Sequence, residues 1–216
     1  MSVELLGFTP EELSAYLKEL GQPAFRAKQV FSWLHQGVPF EAMSNLPKAL
    51  RETLAATCVA NPVSVLETVT SRLDGTVKLL YRLGDGHVIE GVLMRYKYGN
   101  TLCLSTQVGC RMGCAFCAST LDGCARSLTA GEMLGQIVCA NGVLDAQGEG
   151  ARVGNIVLMG SGEPFDNYDN VVRFLRILRM EGGLHIGMRS VSLSTCGLVP
   201  QMRRFAEEDL PVTLSL

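Results

Sequence analysis

The segment Cys110-Arg-Met-Gly-Cys114-Ala-Phe-Cys117 constrains this chain more than any other. It places three thiols within eight residues, directly after the β-type run Thr101–Gln107, so one compact loop can surround one metal cluster. Four cysteines saturate a cubane iron–sulfur cluster in the ferredoxins. Three leave one iron open, as catalytic metal sites keep a position free. Gly113 relieves crowding in the loop, and Phe116 is expected to shield the cluster from water. The competing assignment is a zinc site completed by Cys103 or Cys124. Zinc modules usually carry two separated ligand pairs, and no second half follows; His185 is the one downstream histidine.

The remaining composition favours metal over disulfides. Eight cysteines occur, and five of them fall between 103 and 124. The N-terminal stretch MSVELLGFTPEELSAYL is acidic where an export signal needs a basic region and an apolar core. No apolar run reaches the roughly 18 residues of a membrane span. A cytoplasmic protein with no membrane contact is expected, in a reducing compartment where clustered cysteines bind metal. Hydrophobic residues at 47% and charged residues at 19% fit an ordinary globular chain. A net charge of −2 supplies no global attraction to nucleic acid.

Residues 1–60 carry helix signals and no strand pattern. Thr9-Pro10-Glu11-Glu12 forms a capping box, followed by Leu13, Tyr16, Leu17 and Leu20 at helical spacing. A second helix is expected over Ala24–Gln36, with Phe25, Val30, Phe31 and Leu34 inward and Gly37 as its stop; a third covers Pro47–Thr57. Residues 61–98 read as a β-meander: Val63–Thr70, Val77–Leu83 and His87–Tyr96, separated by Asp74-Gly75 and Gly84-Asp85-Gly86. From residue 99 to 216 strands and helices alternate. Strands Thr101–Gln107, Asn155–Met159, Ser190–Thr195 and Pro211–Leu216 are interleaved with helices Thr129–Val143, Tyr168–Arg179 and Pro200–Glu207. Such alternation implies parallel βαβ units, in a barrel or an open sheet. The last strand ends uncovered, which suggests a piece of a longer protein.

The stretch TLCLSTQVGCRMGCAFCAST, with LTAGEMLGQIV after it, resembles the RlmN/Cfr family of radical S-adenosylmethionine (SAM) RNA methyltransferases. GQPAFRAKQVFSWLHQGV and MSNLPKALRETL look like that family's helical accessory domain, and SRLDGTVKLLYRLGDGHVIEGVLM like its linking meander, so the resemblance covers essentially the whole chain. It implies an α/β fold: a partial radical-SAM (β/α)6 TIM-like barrel, cut after about four strands and preceded by the helical domain and meander. It implies a [4Fe–4S] cluster on Cys110, Cys114 and Cys117, and SAM on its open iron.

Further roles follow from the same resemblance. Met159-Gly-Ser-Gly-Glu-Pro-Phe-Asp-Asn167 corresponds to the SAM-binding loop, where Gly162 lets backbone approach the ligand and Glu163 accepts from its ammonium group. Ser194, Ser215 and Leu216 match SAM-contacting strand ends, and Glu90 matches the family's proton acceptor. The implied reaction methylates C2 of an adenine in 23S rRNA and in tRNA. One SAM methylates a protein cysteine; a second is reductively cleaved to a 5′-deoxyadenosyl radical that activates that methyl group. Alternatives are the C8 branch, which typically carries alanine where Pro164 stands here, and a radical SAM activase. The methyl-carrying cysteine belongs to a C-terminal part not in this sequence, and neither Cys124 nor Cys196 sits in its motif, so the chain alone is expected to be inactive. Cys103 matches the resolving cysteine in position but is assigned no role. Implied partners are 23S rRNA, tRNA and an electron donor such as flavodoxin or ferredoxin, with the chain a monomer. Arg173, Arg176 and Arg179 form a helical stripe, read mainly as a solvated face.

Overall fold

The computed structural model describes residues 2–148 and 150–216. A two-residue strand β1 (Val3–Glu4) precedes helix α1 (Pro10–Glu19). The predicted capping box is formed: the Thr9 hydroxyl accepts the Glu12 N–H at 3.3 Å, and the Glu12 carboxylate accepts the Thr9 N–H at 2.8 Å. Helix α2 (Phe25–His35) runs into Gly37, whose φ of +74° ends it as expected. Helix α3 (Lys48–Thr57) leads into β2 (Cys58–Val59), which pairs parallel with β1. This small pair corrects the expectation of no strand in residues 1–60; two residues carry no periodicity to read. Phe25 is a second correction. It is 57% exposed, with the Arg26 guanidinium 4.9 Å from its ring centroid, while Ala27, Val30, Phe31 and Leu34 fill the inner face.

Strands β3 (Val63–Thr70), β4 (Val77–Leu83) and β5 (Val88–Tyr96) form the antiparallel meander. In β4 the period-2 pattern is clean: Val77, Leu79, Tyr81 and Leu83 are buried, Lys78 and Arg82 exposed. Next come β6 (Gly99–Cys103), β7 (Gln107–Gly109), β8 (Cys124–Ser127), α4 (Ala130–Ala146) and β9 (Val153–Leu158). Helix α5 (Tyr168–Leu178), β10 (Val191–Ser194), α6 (Val199–Phe205) and β11 (Thr213–Ser215) follow.

One seven-stranded sheet has the order β11-β10-β9-β6-β5-β4-β3, parallel from β11 to β6 and antiparallel from β6 to β3. The meander is therefore hydrogen-bonded to the parallel strands through β5 and β6. Four parallel strands with intervening helices are present, as the alternation implies. Helix α4 packs against β3, β4, β9 and α5. Its sequence is apolar on most sides because most of its residues are buried. The core is continuous from Leu5 in the N-terminal part to Leu210 near β11. Among the described residues no helix is long and apolar enough to cross a membrane.

The expected strand Thr101–Gln107 divides in two. Strand β6 stops at Cys103, because Ser105 is drawn out of the ladder by Gln136 on α4. The Ser105 N–H donates to Gln136 Oε1 at 2.9 Å, and Gln136 Nε2 donates to the Ser105 carbonyl at 3.0 Å. Gln107 then opens β7, which pairs antiparallel with β8, a hairpin not anticipated from the sequence.

Candidate functional site

The cysteine loop is the tip of the β7–β8 hairpin, beyond the end of β6. Its neck is closed by the Cys110 N–H donating to the Gly123 carbonyl at 2.8 Å. Gly109 makes this closure possible. Its φ is +77°, and a Cβ there would lie 2.0 Å from the Gly123 carbonyl oxygen, so no side chain can be accommodated without opening the neck. Gly113 also has a left-handed φ of +72°, with open space around it. Cys110 is buried, while Cys114 and Cys117 are partly exposed. Burial pushes the Cys110 thiol up, and the charges of Glu163, Cys114 and Cys117 add to that, so these four groups share one neighbourhood. Phe116, expected to shield the cluster, is 94% exposed.

The loop between β9 and α5 lies against the base of this hairpin. Glu163 is 5% exposed. One carboxylate oxygen accepts the Phe165 N–H at 3.0 Å and the other the Cys196 N–H at 2.8 Å. Gly162 has φ +106°, and a Cβ on it would lie 2.6 Å from Gln107 Cβ. The glycine is needed for close packing of the loop on Gln107. Gly160 does the same against the Leu104 carbonyl, with 2.6 Å left for a Cβ. The Cys196 thiol is pushed up to about 11, first by partial burial and then by the adjacent Glu163, with Cys114 contributing. Cys196 therefore faces this site, a placement its sequence context did not signal.

Glu90 projects from β5 on the exposed side of the sheet, where its carboxylate pairs with Lys78 Nζ of β4 at 2.8 Å. It lines a cavity of about 680 Å³ together with Cys103, Cys117, Met159 and Ser161. Burial pushes the Cys103 thiol up, partly offset by the Met159 N–H. Ser105 fixes the backbone here: its hydroxyl donates to the Glu90 carbonyl at 2.7 Å and accepts the Ser161 N–H at 2.9 Å. Ser194 and Ser215 stand opposite one another at the ends of β10 and β11, and the Thr195 N–H donates to the Ser215 carbonyl at 3.0 Å. Leu216 is 84% exposed. The arginine stripe is largely spent within the fold: Arg173 bonds the Gly7 carbonyl and Glu12, and Arg176 bonds Glu208.

Among the described residues no three His, Cys, Asp or Glu side chains converge on one point as ligands of a single metal ion. Cys110, Cys114 and Cys117 share one 14-residue hairpin tip, and these are the thiols that would hold a cluster. Glu163 is the residue to test against the implied SAM. Among the described residues it has no Lys or Arg partner. Its two oxygens accept the Phe165 and Cys196 N–H groups, so it is a buried acceptor that a cationic group could pair with.

The chain is similar to known proteins over nearly its whole length. Residues 3–60 match the ribosomal RNA large subunit methyltransferase N-terminal domain. A probable dual-specificity RNA methyltransferase RlmN from Clostridium perfringens (strain 13 / Type A) is 51% identical over 214 residues, covering 98% of this chain and 60% of the relative. The probable RlmN of Clostridium tetani is 50% identical, over 99% of this chain and 60% of its own length. The chain thus spans about 60% of the length of these curated relatives. A crystal structure of a radical SAM methyltransferase from Sphaerobacter thermophilus superposes with a TM-score of 0.92 at 43% identity, covering 98% of this chain and 62% of that one. The radical SAM superfamily itself is matched over residues 104–216, more than half of the sequence and all of the cysteine loop, the Glu163 loop and the strands that carry them, and to that superfamily the chain belongs.

Proposed function

We propose that the chain is the cluster- and SAM-binding portion of an RNA methyltransferase acting on C2 of an adenine in 23S rRNA and in tRNA. The observation that carries this reading is the pairing of two features: a three-cysteine loop, and beside it a buried, cation-free Glu163. Relatives about 50% identical over nearly the whole chain carry the name of a dual-specificity RNA methyltransferase, which supports the RNA substrate; the C2 position is what the family resemblance implies.

In this reading Cys110, Cys114 and Cys117 hold the [4Fe–4S] cluster, and Glu163 holds the SAM amine. Gly162, Ser194, Ser215 and Leu216 border the same cofactor. When bound, the cluster supplies the single electron that cleaves SAM, chemistry that no side chain provides. The cavity between Glu90 and Cys117 receives the target base, which must leave its stack to enter. Glu90 takes the proton from the base at its carboxylate, after exchanging Lys78 for the substrate. Residues 1–60 serve as the RNA-side accessory domain, 61–98 as the meander that presents Glu90, and 99–216 as the radical SAM core. The protein works in the cytoplasm as a monomer, and a flavodoxin or ferredoxin delivers the electron.

Anaerobic reconstitution with iron and sulfide tests the cluster assignment. The expected result is stoichiometric cluster in the wild-type chain, a marked loss in Cys114→Ala, and a reduced-cluster EPR signal that shifts on adding SAM. Equal iron in both proteins, or a signal indifferent to SAM, overturns it.

A further inference from the structure

Gln107 is fully buried at the first position of β7, at the base of the cysteine hairpin, and every polar atom of its side chain is used. Its Oε1 accepts the Glu163 N–H at 2.9 Å. Its Nε2 donates to Asp166 Oδ2 at 2.8 Å and to Ser127 Oγ on β8 at 3.2 Å. The same Asp166 oxygen accepts Arg111 Nε at 2.7 Å, from the residue next to Cys110. The backbone repeats the connection, since the Thr106 and Gln107 N–H groups both donate to the Ser161 carbonyl, at 2.8 and 3.1 Å. The space occupied by the Gln107 side chain is the space Gly162 leaves free.

We infer that Gln107 and Asp166 are positioning residues: they lock the hairpin that carries the cysteines to the loop that carries Glu163. SAM bound at this site would have to meet two groups at once, the open iron and the Glu163 carboxylate. The separation of those two groups is set by these few hydrogen bonds. The inference rests on the proposed cluster and SAM roles of Cys110, Cys114, Cys117 and Glu163. Neither Gln107 nor Asp166 needs to touch the cofactor. Their contribution is geometric, and small displacements of a bidentate contact are expensive.

Gln107→Glu is the informative change. It keeps an acceptor for the Glu163 N–H but replaces the donor to Asp166 by a carboxylate, so two like charges meet in a buried space. Combining it with Asp166→Asn restores the bond with donor and acceptor exchanged, giving up only the bond that Arg111, 63% exposed, makes to that same atom. The chain is reconstituted and reduced, and SAM is titrated against the EPR signal, with iron content measured on every sample. The expected result is unchanged iron in all three proteins. The SAM concentration for half-maximal perturbation should rise about tenfold in Gln107→Glu and return to within about threefold in the double variant. A half-saturation point in Gln107→Glu equal to wild type overturns the inference. So does loss of iron in Gln107→Glu that the double variant fails to restore, since that marks a general folding role. A wild-type chain whose cluster ignores SAM overturns the underlying site assignment instead.

Discussion

At the scale of single residues, His35 shows how burial alone sets chemistry. It is 4% exposed, its ring centroid 4.2 Å from that of Phe31, and neither ring nitrogen has a hydrogen-bond partner among the described residues. Burial pushes its pKa down from 6.5 to about 4. The folded state therefore holds a neutral imidazole, while the unfolded chain takes up a proton below about pH 6.5. Between those two values the unfolded state binds more protons, so stability falls as pH drops, by up to about 1.4 kcal/mol per pH unit. The expected outcome is a denaturant midpoint that declines between pH 6.5 and 4, with a shallower decline in His35→Phe. Parallel declines in the two proteins would assign the acid sensitivity elsewhere. The glycines act at the same scale by what they omit: Gly109 and Gly162 each leave room that a neighbouring backbone or side chain already fills.

Between elements, one joint in the site region is Arg126 of β8. Its guanidinium donates to both Glu132 oxygens at 2.7 and 2.8 Å and to Asp85 at 2.6 Å, tying the hairpin to the start of α4 and to the β4–β5 turn. Glu132 also forms a capping box with Thr129, at 2.9 and 3.1 Å. The Glu132 side chain is 4% exposed, so removing its partner strands a buried charge. Arg126→Met should lower stability by about 3 kcal/mol in urea unfolding. Lys48→Met, which breaks an exposed pair with Glu52 at 3.7 Å, should cost under about 0.5 kcal/mol. Similar shifts in both would show that burial does not control the Arg126 pair.

Elements of this kind were legible where one local signal suffices. Both capping boxes, the stop at Gly37 and the alternation in β4 can be read within a few residues. The cysteines are legible for the same reason, because their spacing is the signal. The β7–β8 hairpin was hidden, since Cys124–Ser127 has no alternation and its partner strand has three residues. Gln107, Asp166 and Ser105 were invisible as members of the site because their partners lie 15 to 59 positions away. Only the folded sheet brings these residues together.

At the scale of the whole molecule, the helices of residues 1–60 share a core with the sheet rather than standing apart. Arg173 of α5 reaches the Gly7 carbonyl at 2.8 Å, and Gly7 and Gly131 approach so closely that a Cβ on Gly7 would lie 2.9 Å from the Gly131 nitrogen. Trp33, the single tryptophan, sits in α2 and reports on that part alone. Its fluorescence and the far-UV circular dichroism of the whole chain should therefore lose their native signals at the same denaturant midpoint. Two separated midpoints would show that the N-terminal helices unfold on their own.

The shared ladder from β3 to β11 also governs which changes of length the chain can survive. Glu90 and the cysteine loop are related through backbone pairing at β5 and β6, where Val92 faces Cys103, and not through a hinge. One residue inserted in β5 ahead of Glu90 would turn its carboxylate to the opposite face of the sheet while leaving the strand intact. The turn Ser71–Thr76, at the other end of β4, can lengthen without disturbing that register. Insertions and deletions compatible with the site should accordingly gather in the turns and avoid residues 88 to 103.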